Sequence, residues 1–491
     1  MLKNLLLASL FLNSLLSFSQ DIVKEFDLKL EKKRDFFQVV NEDKKEVILF
    51  LNDKEKVTSI RFDEKFNIID SLTTARPEKK YDNIIGYNQK DNNYFVFWAS
   101  ENRKEISSQY FNFAKKETKT TSINLELKKE KIVKELTINN VFYLITIVKN
   151  TSILKFYISN NDGNLDTKTV DLSNLQFHSS SNENVNLYDL LFAVFEERSI
   201  ETIHNDSPPS LALSSKKYKI YTYKNDEIIF TLDNNPDLTA ILKINLNDFT
   251  ANLKSIEQPR IIIDPSDFST PESNSFLIED KILQIKTNHS VLFLTISDQN
   301  GNRINQFKTL RDEEIAYKNS DVFQETGSVH NKKVLEKPKQ FIRKINNSNP
   351  GISCYKLNDL YYTVIGSSQD ISHAGGGPGM GMGAGFGGAP MVFGFTSNYT
   401  IGNLVSYKDK IVVYTNCLFD SNFNPSKSKT ETSAFEKARL FLEENEEVKE
   451  KTSIFGRDLY KDLIVFKFNT SLYLGNYNKQ NKKYQIFSFS E

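Results

Sequence analysis

The chain has 491 residues, and its 63 basic side chains are matched by 63 acidic ones. A net charge of zero gives no overall attraction to a polyanion, which argues against nucleic acid as a partner, and two cysteines are too few for a disulfide-rich scaffold. Aromatic residues make up 12% of the chain and supply the large buried areas typical of a β core.

The N-terminus predicts a secretory signal peptide, residues 1–19. One early lysine precedes an apolar run from Leu5 to Leu16, and the small residues Ser17 and Ser19 follow it. This order is typical of a cleavable signal, and the run is too short to span a bilayer. We expect cleavage after Ser19 and an exported, soluble protein, periplasmic or extracellular, without a transmembrane segment.

A charged turn followed by a burst of β-forming residues recurs along the chain. The clearest copy runs from Tyr407 to Tyr414, and the first three bursts begin at Glu46, Tyr94 and Phe142, each 48 residues after the one before. Four short strands can be placed in each of these units, with the last strand of the second unit at 122–127. Eight bursts are found in all.

Two segments with the same form support the repeat. Ile158–Asn164 and Ile296–Asn302 each run from a strand into an Asp-Gly or Asn-Gly turn, the strongest short hairpin signal. We expect corresponding hairpins in two units. Their side chains resemble a calcium loop, but the ligand spacing of an EF-hand is missing.

After the third unit the spacing of the repeat becomes irregular. Insertions occur there at about residues 173–210, 311–349, 374–390 and 420–450. The first predicts a short amphipathic helix within 186–198, and the second indicates long loops or an irregular outer strand pair. The fourth predicts a helix that begins at a capping box of Ser433 and Glu436. This helix leaves little room for a complete unit after Lys410, so the number of units, seven or eight, is left open.

The third insertion is rich in glycine, with 9 of the 19 glycines in 375–388, and we expect a loop without regular structure. Soft metal ligands in and around it suit Cu(I): Met380, Met382, Met391 and His373. The alternative is a flexible, adhesive loop that contacts a partner. We predict no resident metal and no cofactor.

The lysine-rich segment Lys216–Tyr223 predicts an edge or half-exposed strand, whose lysines discourage aggregation. Cys354 and Cys417 both lie near repeated strands, and whether they form a disulfide is open because pairing depends on their separation in space. The motifs of zinc proteases, thiol oxidoreductases and serine hydrolases are missing, so no catalytic residue is predicted.

The turn-plus-strand repeat, four strands per unit and the export signal together resemble the β-propeller superfamily. The resemblance is architectural, because the WD dipeptide, the kelch double glycine and the Asp-box are missing, and no family's functional residues can be transferred. It implies one all-β domain over residues 20–491, with seven or eight four-stranded blades. The last strands are expected to pair with the N-terminal strand from Ile22 to Leu30.

The function predicted from these features is an exported, non-catalytic binding scaffold of the cell envelope, which contacts a protein partner through its inserted loops. The alternative is a propeller hydrolase or lyase that acts on glycan or peptide, with an acid and a base from separate blades. Enzymatic activity and oligomeric state are both left open.

Export can be tested at the N-terminus of the mature protein. Full-length protein produced in a secreting host should begin at Gln20, because small residues stand at the positions that signal peptidase reads. Intact mass spectrometry measures this directly, and Ser19→Arg is expected to block processing while Asn13→Gln leaves it unchanged. A cell-associated chain that retains Met1 would contradict the prediction.

Overall fold

The computed structural model describes residues 21–31, 35–192, 199–203, 210–222, 224–262, 269–371, 401–428, 432–444 and 463–490. Over these residues the chain is mostly β, with seven sheets of four or five strands, one two-stranded ribbon and five helices. None of the helices in the described ranges is long and apolar enough to cross a membrane.

The first strand, β1 (Asp21–Asp27), belongs to the last sheet, and the next twelve strands form three sheets in simple chain order. Sheet I holds β2 (Asp35–Asn41), β3 (Glu46–Asn52), β4 (Lys56–Phe62) and β5 (Ile68–Ala75). Sheet II holds β6 (Tyr81–Lys90), β7 (Asn93–Ser100), β8 (Ile106–Asn112) and β9 (Glu117–Ile123). Sheet III holds β10 (Glu130–Ile138), β11 (Val141–Val148), β12 (Ile153–Ser159) and β13 (Leu165–Asp171).

Two further sheets follow a short ribbon of β14 (Phe177–His178) and β15 (Asn184–Val185), and the helix α1 (Leu187–Leu191). Sheet IV holds β16 (Ile200–Ile203), β17 (Tyr218–Tyr221), β18 (Glu227–Leu232), β19 (Leu238–Asn245) and β20 (Ala251–Glu257), with α2 (Leu211–Ser214) before β17. Sheet V holds β21 (Glu272–Ile278), β22 (Lys281–Thr287), β23 (Val291–Asp298) and β24 (Arg303–Leu310).

Sheet VI has the order β26-β25-β29-β28-β27, and sheet VII the order β1-β32-β31-β30. In chain order, the strands of sheet VI and the helices between them are β25 (Phe323–Thr326), β26 (Lys332–Val334), α3 (Pro338–Asn346), β27 (Asn349–Leu357), β28 (Leu360–Asp370), α4 (Ile401–Val405) and β29 (Lys410–Phe419). Those of sheet VII are α5 (Ala434–Glu444), β30 (Leu463–Phe468), β31 (Ser471–Asn478) and β32 (Lys483–Phe489).

The strands predicted for the first three units are present, but the last strand of the second unit lies at Glu117–Ile123 rather than at 122–127. The bursts that begin at Leu360 and Lys410 are neighbouring strands of sheet VI, so eight bursts correspond to seven sheets. β1 pairs antiparallel with β32, as expected, with Phe26 opposite Tyr484. This pairing covers the backbone edge of β32.

The helices agree with the sequence in part. The Oγ of Ser433 accepts the amide N–H of Glu436 at 3.1 Å, which confirms the predicted start of α5. Helix α1 is shorter than predicted within its described residues, and 193–198 lie outside them. Helix α3 was not predicted in the second insertion, because only about two turns of apolar spacing, Phe341, Ile342 and Ile345, stand among lysines.

Aromatic side chains join most successive sheets across their faces. A ring contact connects I with II, II with III, III with IV, IV with V, V with VI, and VII with I. The ring pairs and centroid distances are Phe50–Phe111 (5.0 Å), Phe97–Phe142 (4.6 Å), Phe156–Phe249 (5.5 Å), Tyr221–Phe276 (5.8 Å), Phe307–Phe419 (5.5 Å) and Tyr473–Phe66 (4.8 Å). Between sheets VI and VII the helices α4 and α5 occupy this position, and Phe441 of α5 packs on Phe487 of β32.

The hairpins after β12 and β23 share one turn. Its first residue is Asp or Asn, whose side-chain oxygen accepts amide N–H groups two and four residues later, at 2.7 and 2.9 Å for Asp298. The fourth residue has a positive φ, +76° for Gly163 and +84° for Gly301. The predicted correspondence of the hairpins at 158–164 and 296–302 is therefore confirmed.

Phenylalanine takes that fourth position in two other turns, with φ +60° for Phe66 and +58° for Phe423. Such a conformation is uncommon for a residue with a side chain. Phe66 packs on sheet VII, and the carbonyl of Phe423 accepts the side-chain amide of Asn305 in sheet V at 2.9 Å. The turn thus places a residue against the preceding sheet, and burial of the ring offsets the backbone cost.

The segment expected to be an edge strand is instead an interior one, and Lys219 is fully buried. β17 lies between β16 and β18. The Nζ of Lys219 donates to the carboxylate of Asp233 at 2.9 Å, to the side-chain oxygen of Asn274 at 2.6 Å and to the carbonyl of Lys216 at 2.7 Å. The prediction was wrong because alternation alone does not reveal a buried partner charge.

This buried ion pair connects three sheets. Asp233 also accepts hydrogen bonds from the amide and hydroxyl of Ser275 in sheet V, at 3.2 and 2.9 Å. The side-chain amide of Asn274 donates to the carbonyl of Pro350 in sheet VI at 2.8 Å. Burial lowers the pKa of Lys219 below its ordinary value, although the carboxylate of Asp233 acts in the opposite direction. Removal of either residue would leave the other as a buried charge without compensation.

Removing one charge of this pair should destabilise the protein strongly. In Asp233→Asn, Lys219 stays buried without a counter-charge, and we expect a loss of about 3 to 5 kcal/mol in the free energy of unfolding at neutral pH. Urea unfolding measures it. Glu126→Gln, which removes an ion pair on the surface, is the matched control and should leave the midpoint unchanged. Equal midpoints for both variants would contradict the structural role.

Candidate functional site

Insertions that are far apart in the sequence meet beside sheet VI. At the end of the first insertion, the amide of Ser210 donates to the side-chain oxygen of Asn403 in α4 at 2.7 Å. The hydroxyls of Ser210 and Ser406 are 2.5 Å apart. The hydroxyl of Ser215, just after α2, lies 2.6 Å from that of Ser368 on β28. The end of the first insertion therefore rests on α4, and the turn after α2 rests on β28 of sheet VI.

A buried ion pair attaches the fourth insertion to the second. The guanidinium of Arg439 in α5 donates to the carboxylate of Glu325 in β25 at 2.5 Å, and their side chains are 8% and 0% exposed. The same guanidinium lies over the ring of Tyr407 at 4.2 Å. Glu443, one helical turn later, accepts the hydroxyl of Ser328 at 2.6 Å. Helix α5 is thus held by charge as well as by its apolar face.

Burial and the charge of the partner shift the pKa of each residue of this pair in opposite directions. Burial raises the pKa of Glu325 above its ordinary value, against the attraction of Arg439. Burial works against the charged form of Arg439, but the carboxylate of Glu325, with smaller contributions from Tyr407 and Glu443, raises the pKa of that guanidinium. Arg439 therefore stays charged and compensates Glu325.

A cleft of about 190 Å³ opens between α5 and the strands β27 to β29. Nine of its lining residues carry a hydroxyl group: Ser210, Ser353, Tyr355, Tyr362, Thr363, Tyr407, Tyr414, Thr432 and Ser433. The others are Val364, Asn416, Cys417, Phe435, Glu436 and Arg439. The lining therefore offers many groups that both donate and accept hydrogen bonds, together with five aromatic rings.

One donor of the lining has no partner among the described residues. The Nε of Arg439 is buried and makes no hydrogen bond there. A buried polar group without a partner is costly, by about 1 to 3 kcal/mol. The cleft is the candidate binding site because residues of separate insertions, among them Ser210 and Arg439, meet in its lining.

The two cysteines are free, buried thiols. Cys354 on β27 and Cys417 on β29 both pair with Thr363, which lies on the strand between them. Two strand spacings amount to about 9 to 10 Å, more than a disulfide can bridge. The disulfide left open by the sequence is therefore not formed, and Cys417 contributes to the cleft as a thiol.

The soft-metal candidates Met380, Met382, Met391 and His373 lie outside the described residues, as do the segment 374–390 and the signal peptide 1–19. Copper binding by that segment stays a prediction. Within the described ranges, no group of three or more His, Cys, Asp and Glu side chains is placed to hold a metal ion.

The residues that define the cleft were not identified from the sequence. Arg439 falls in the predicted helix, between the buried positions Ala438 and Leu442. An arginine within an apolar stripe is a signal of a buried partner charge, but the partner Glu325 lies in another insertion. Tyr407 opens the repeat that led to the strand assignments, yet nothing in that repeat indicates a contact with α5.

Comparison with known proteins does not identify a family. No family model matches the chain, and no curated protein matches its sequence. Among solved structures, a variant of the Synechocystis apocarotenoid oxygenase is similar at 9% identity and TM-score 0.29, over 57% of this chain and 62% of that one. A prolyl endopeptidase is similar at 9% identity and TM-score 0.31, over 69% of this chain and 39% of that one. The chain thus spans less than two thirds of either structure, and likeness at this level carries no argument about function.

The state of the thiols gives a direct test of the packing around the cleft. Burial raises the pKa of Cys354 to about 12 and also raises that of Cys417, so both should stay protonated and unreactive in the folded protein. We expect iodoacetamide to add no label at neutral pH in buffer and two labels in guanidinium chloride without reductant, measured by intact mass. Absence of labelling in denaturant would indicate a disulfide and contradict the structure.

Proposed function

We propose that this chain is an exported, non-catalytic β-propeller of seven blades, which acts as a binding scaffold of the cell envelope and holds its partner at the cleft between sheet VI and α5. The convergence of the insertions around Arg439 is the observation that carries the proposal. Loops inserted into a repeated scaffold are the usual place of recognition, because they vary without disturbing the core.

The propeller assignment is supported by the order of the sheets. In the part of the chain that the structure describes, seven sheets follow one another, and ring contacts join each to the next except at the junction of VI and VII. There α5 spans the gap, through the ion pair to Glu325 on one side and the packing of Phe441 on Phe487 on the other. The pairing of β1 with β32 joins the two ends of the chain in one blade.

A binding role is favoured over hydrolysis by the charges at the cleft. Glycoside hydrolysis needs two carboxyl groups about 5 to 10 Å apart, one on each side of the bond that breaks. Among the described lining residues Glu436 supplies the one carboxylate. Glu325 is fully buried and held by Arg439, so it is not placed to exchange protons with a substrate.

A photo-crosslinking amino acid tests the proposal in the native envelope. Benzoylphenylalanine in place of Tyr362, which is half-buried in the cleft, should give a discrete adduct after irradiation of intact cells. The matched control is the same amino acid in place of Thr120, which is exposed on β9 of a distant sheet and should give none. Binding buries the first position and leaves the second in solvent.

Two results would speak against this function. Identical adduct patterns at positions 362 and 120 would remove the cleft as the contact surface. Release of soluble fragments from a polysaccharide or peptide panel by the purified protein, lost in Glu436→Gln, would show that the site is catalytic instead.

A further inference from the structure

An amine and a side-chain amide lie in contact at the buried boundary between sheets IV and V. The Nζ of Lys219 on β17 lies 2.6 Å from the side-chain oxygen of Asn274 on β21, and both residues are fully buried. A C=O bond is about 1.23 Å long, so this Nζ lies within about 4 Å of the amide carbon, Cγ. Reacting atoms held for attack are about 3 to 3.5 Å apart. A small movement therefore brings the amine onto the amide carbon.

The orientation of the Asn274 amide is fixed by its neighbours. Its oxygen accepts the Nζ of Lys219 and the backbone N–H of Ser275, the latter at 2.7 Å. Its nitrogen donates to the backbone carbonyls of Ser215 and Pro350, both at 2.8 Å. Exchange of the two atoms would set N–H groups against donors and the oxygen against carbonyls. The carbonyl is therefore polarised by two donors, and the nitrogen that would leave is held by two acceptors.

Asp233 places a proton carrier at the same point. Its carboxylate accepts the Nζ of Lys219 at 2.9 Å, and both side chains are fully buried. Attack requires the neutral amine, because an ammonium group has no free electron pair. Burial disfavours the two charges and lowers the pKa of Lys219. Transfer of one proton from Lys219 to Asp233 converts the ion pair into a neutral amine and a carboxylic acid.

From this geometry we infer that Lys219 and Asn274 join in an isopeptide bond once the chain has folded. The bond from Nζ to Cγ forms and the bond from Cγ to Nδ2 breaks. A second proton passes from Nζ through Asp233 to the departing nitrogen, which leaves as ammonia. Asp233 keeps the first proton and remains a neutral acid, so no oxidant or further reagent is needed.

The bond would join two sheets covalently. It connects positions 55 residues apart and closes a loop that holds most of sheet IV. Such a link restricts the unfolded chain and so stabilises the folded one. The product also holds no buried charge at this point. The inference is independent of the proposed binding function and of the cleft.

Peptide mapping of the full mature chain tests the bond. Trypsin does not cleave after an acylated lysine, so residues 218–224 should be recovered joined to 261–281. Loss of ammonia places the mass of the joined peptide about 17 Da below the sum of its parts. The digest locates this loss, which separates it from cyclisation of Gln20. Lys44 and Asn92, in contact at 2.9 Å on the surface, are the internal control and should stay unjoined.

Variants that each remove one reactant connect the mass change to this site. Lys219→Arg keeps a positive charge beside Asp233 but has no primary amine, and Asn274→Ala keeps the ion pair but has no amide carbon. Both should retain the ammonia and unfold at lower urea concentration than the unmodified protein. Asn92→Ala, the same substitution at a surface amide, is the matched control and should still yield the joined peptide.

A time course shows the role of Asp233. Chain extracted from inclusion bodies in urea should carry its full mass, and the loss of ammonia should follow refolding. Asp233→Asn should not form the bond after refolding. If that variant does not fold, Asp233→Glu takes its place, and the displaced carboxyl group should slow the reaction about a hundredfold.

Three results would overturn the inference. Cleavage after Lys219 throughout the folded, unmodified protein would show that its amine is free. A joined peptide from chain that never left urea would show that the folded geometry is not its cause. Bond formation at an unchanged rate in a folded variant of Asp233 would remove the proton carrier and the mechanism with it.

Discussion

The fold depends on one constraint, which is that each sheet has two apolar faces and must cover both. Sheet-to-sheet ring contacts, such as Phe97 on Phe142, do this at six junctions, and each buried aromatic side chain contributes about 1.5 to 3 kcal/mol. The approach is close enough that β6 needs a glycine there, since a Cβ on Gly86 would lie 2.2 Å from the ring of Phe142. At the seventh junction the described residues include no such ring pair, and helices α4 and α5 pack there instead.

Buried polar groups fix the positions of neighbouring sheets relative to one another. Lys219 and Asp233 are hydrogen-bonded in sheets IV and V, and Asn274 extends the network to the backbone of sheet VI. Apolar faces tolerate sliding, but a fully buried charge keeps its partners only in one register. The relative positions of sheets IV, V and VI are therefore fixed more strictly than burial of apolar area alone requires.

The cleft lies at the junction of sheets VI and VII, which is packed differently from the other junctions. Where α5 replaces a ring pair, its polar side chains, among them Glu436 and Arg439, come to lie opposite the hydroxyl-rich strands of sheet VI. A buried ion pair between Arg439 and Glu325 holds the helix in this position.

The amino-acid sequence by itself determined the β class, the four-strand unit and the start of α5 at Ser433. These depend on local alternation, turn residues and capping, which involve neighbours within a few positions. Tertiary structure decided that the bursts at Leu360 and Lys410 share one sheet, that Lys219 is interior, that Cys354 and Cys417 stay apart, and that Arg439 meets Glu325. The physical reason is the same in each case, because these contacts lie beyond the few neighbouring positions that alternation, turns and caps involve: Asp233 is 14 residues from Lys219, and Glu325 is 114 residues from Arg439.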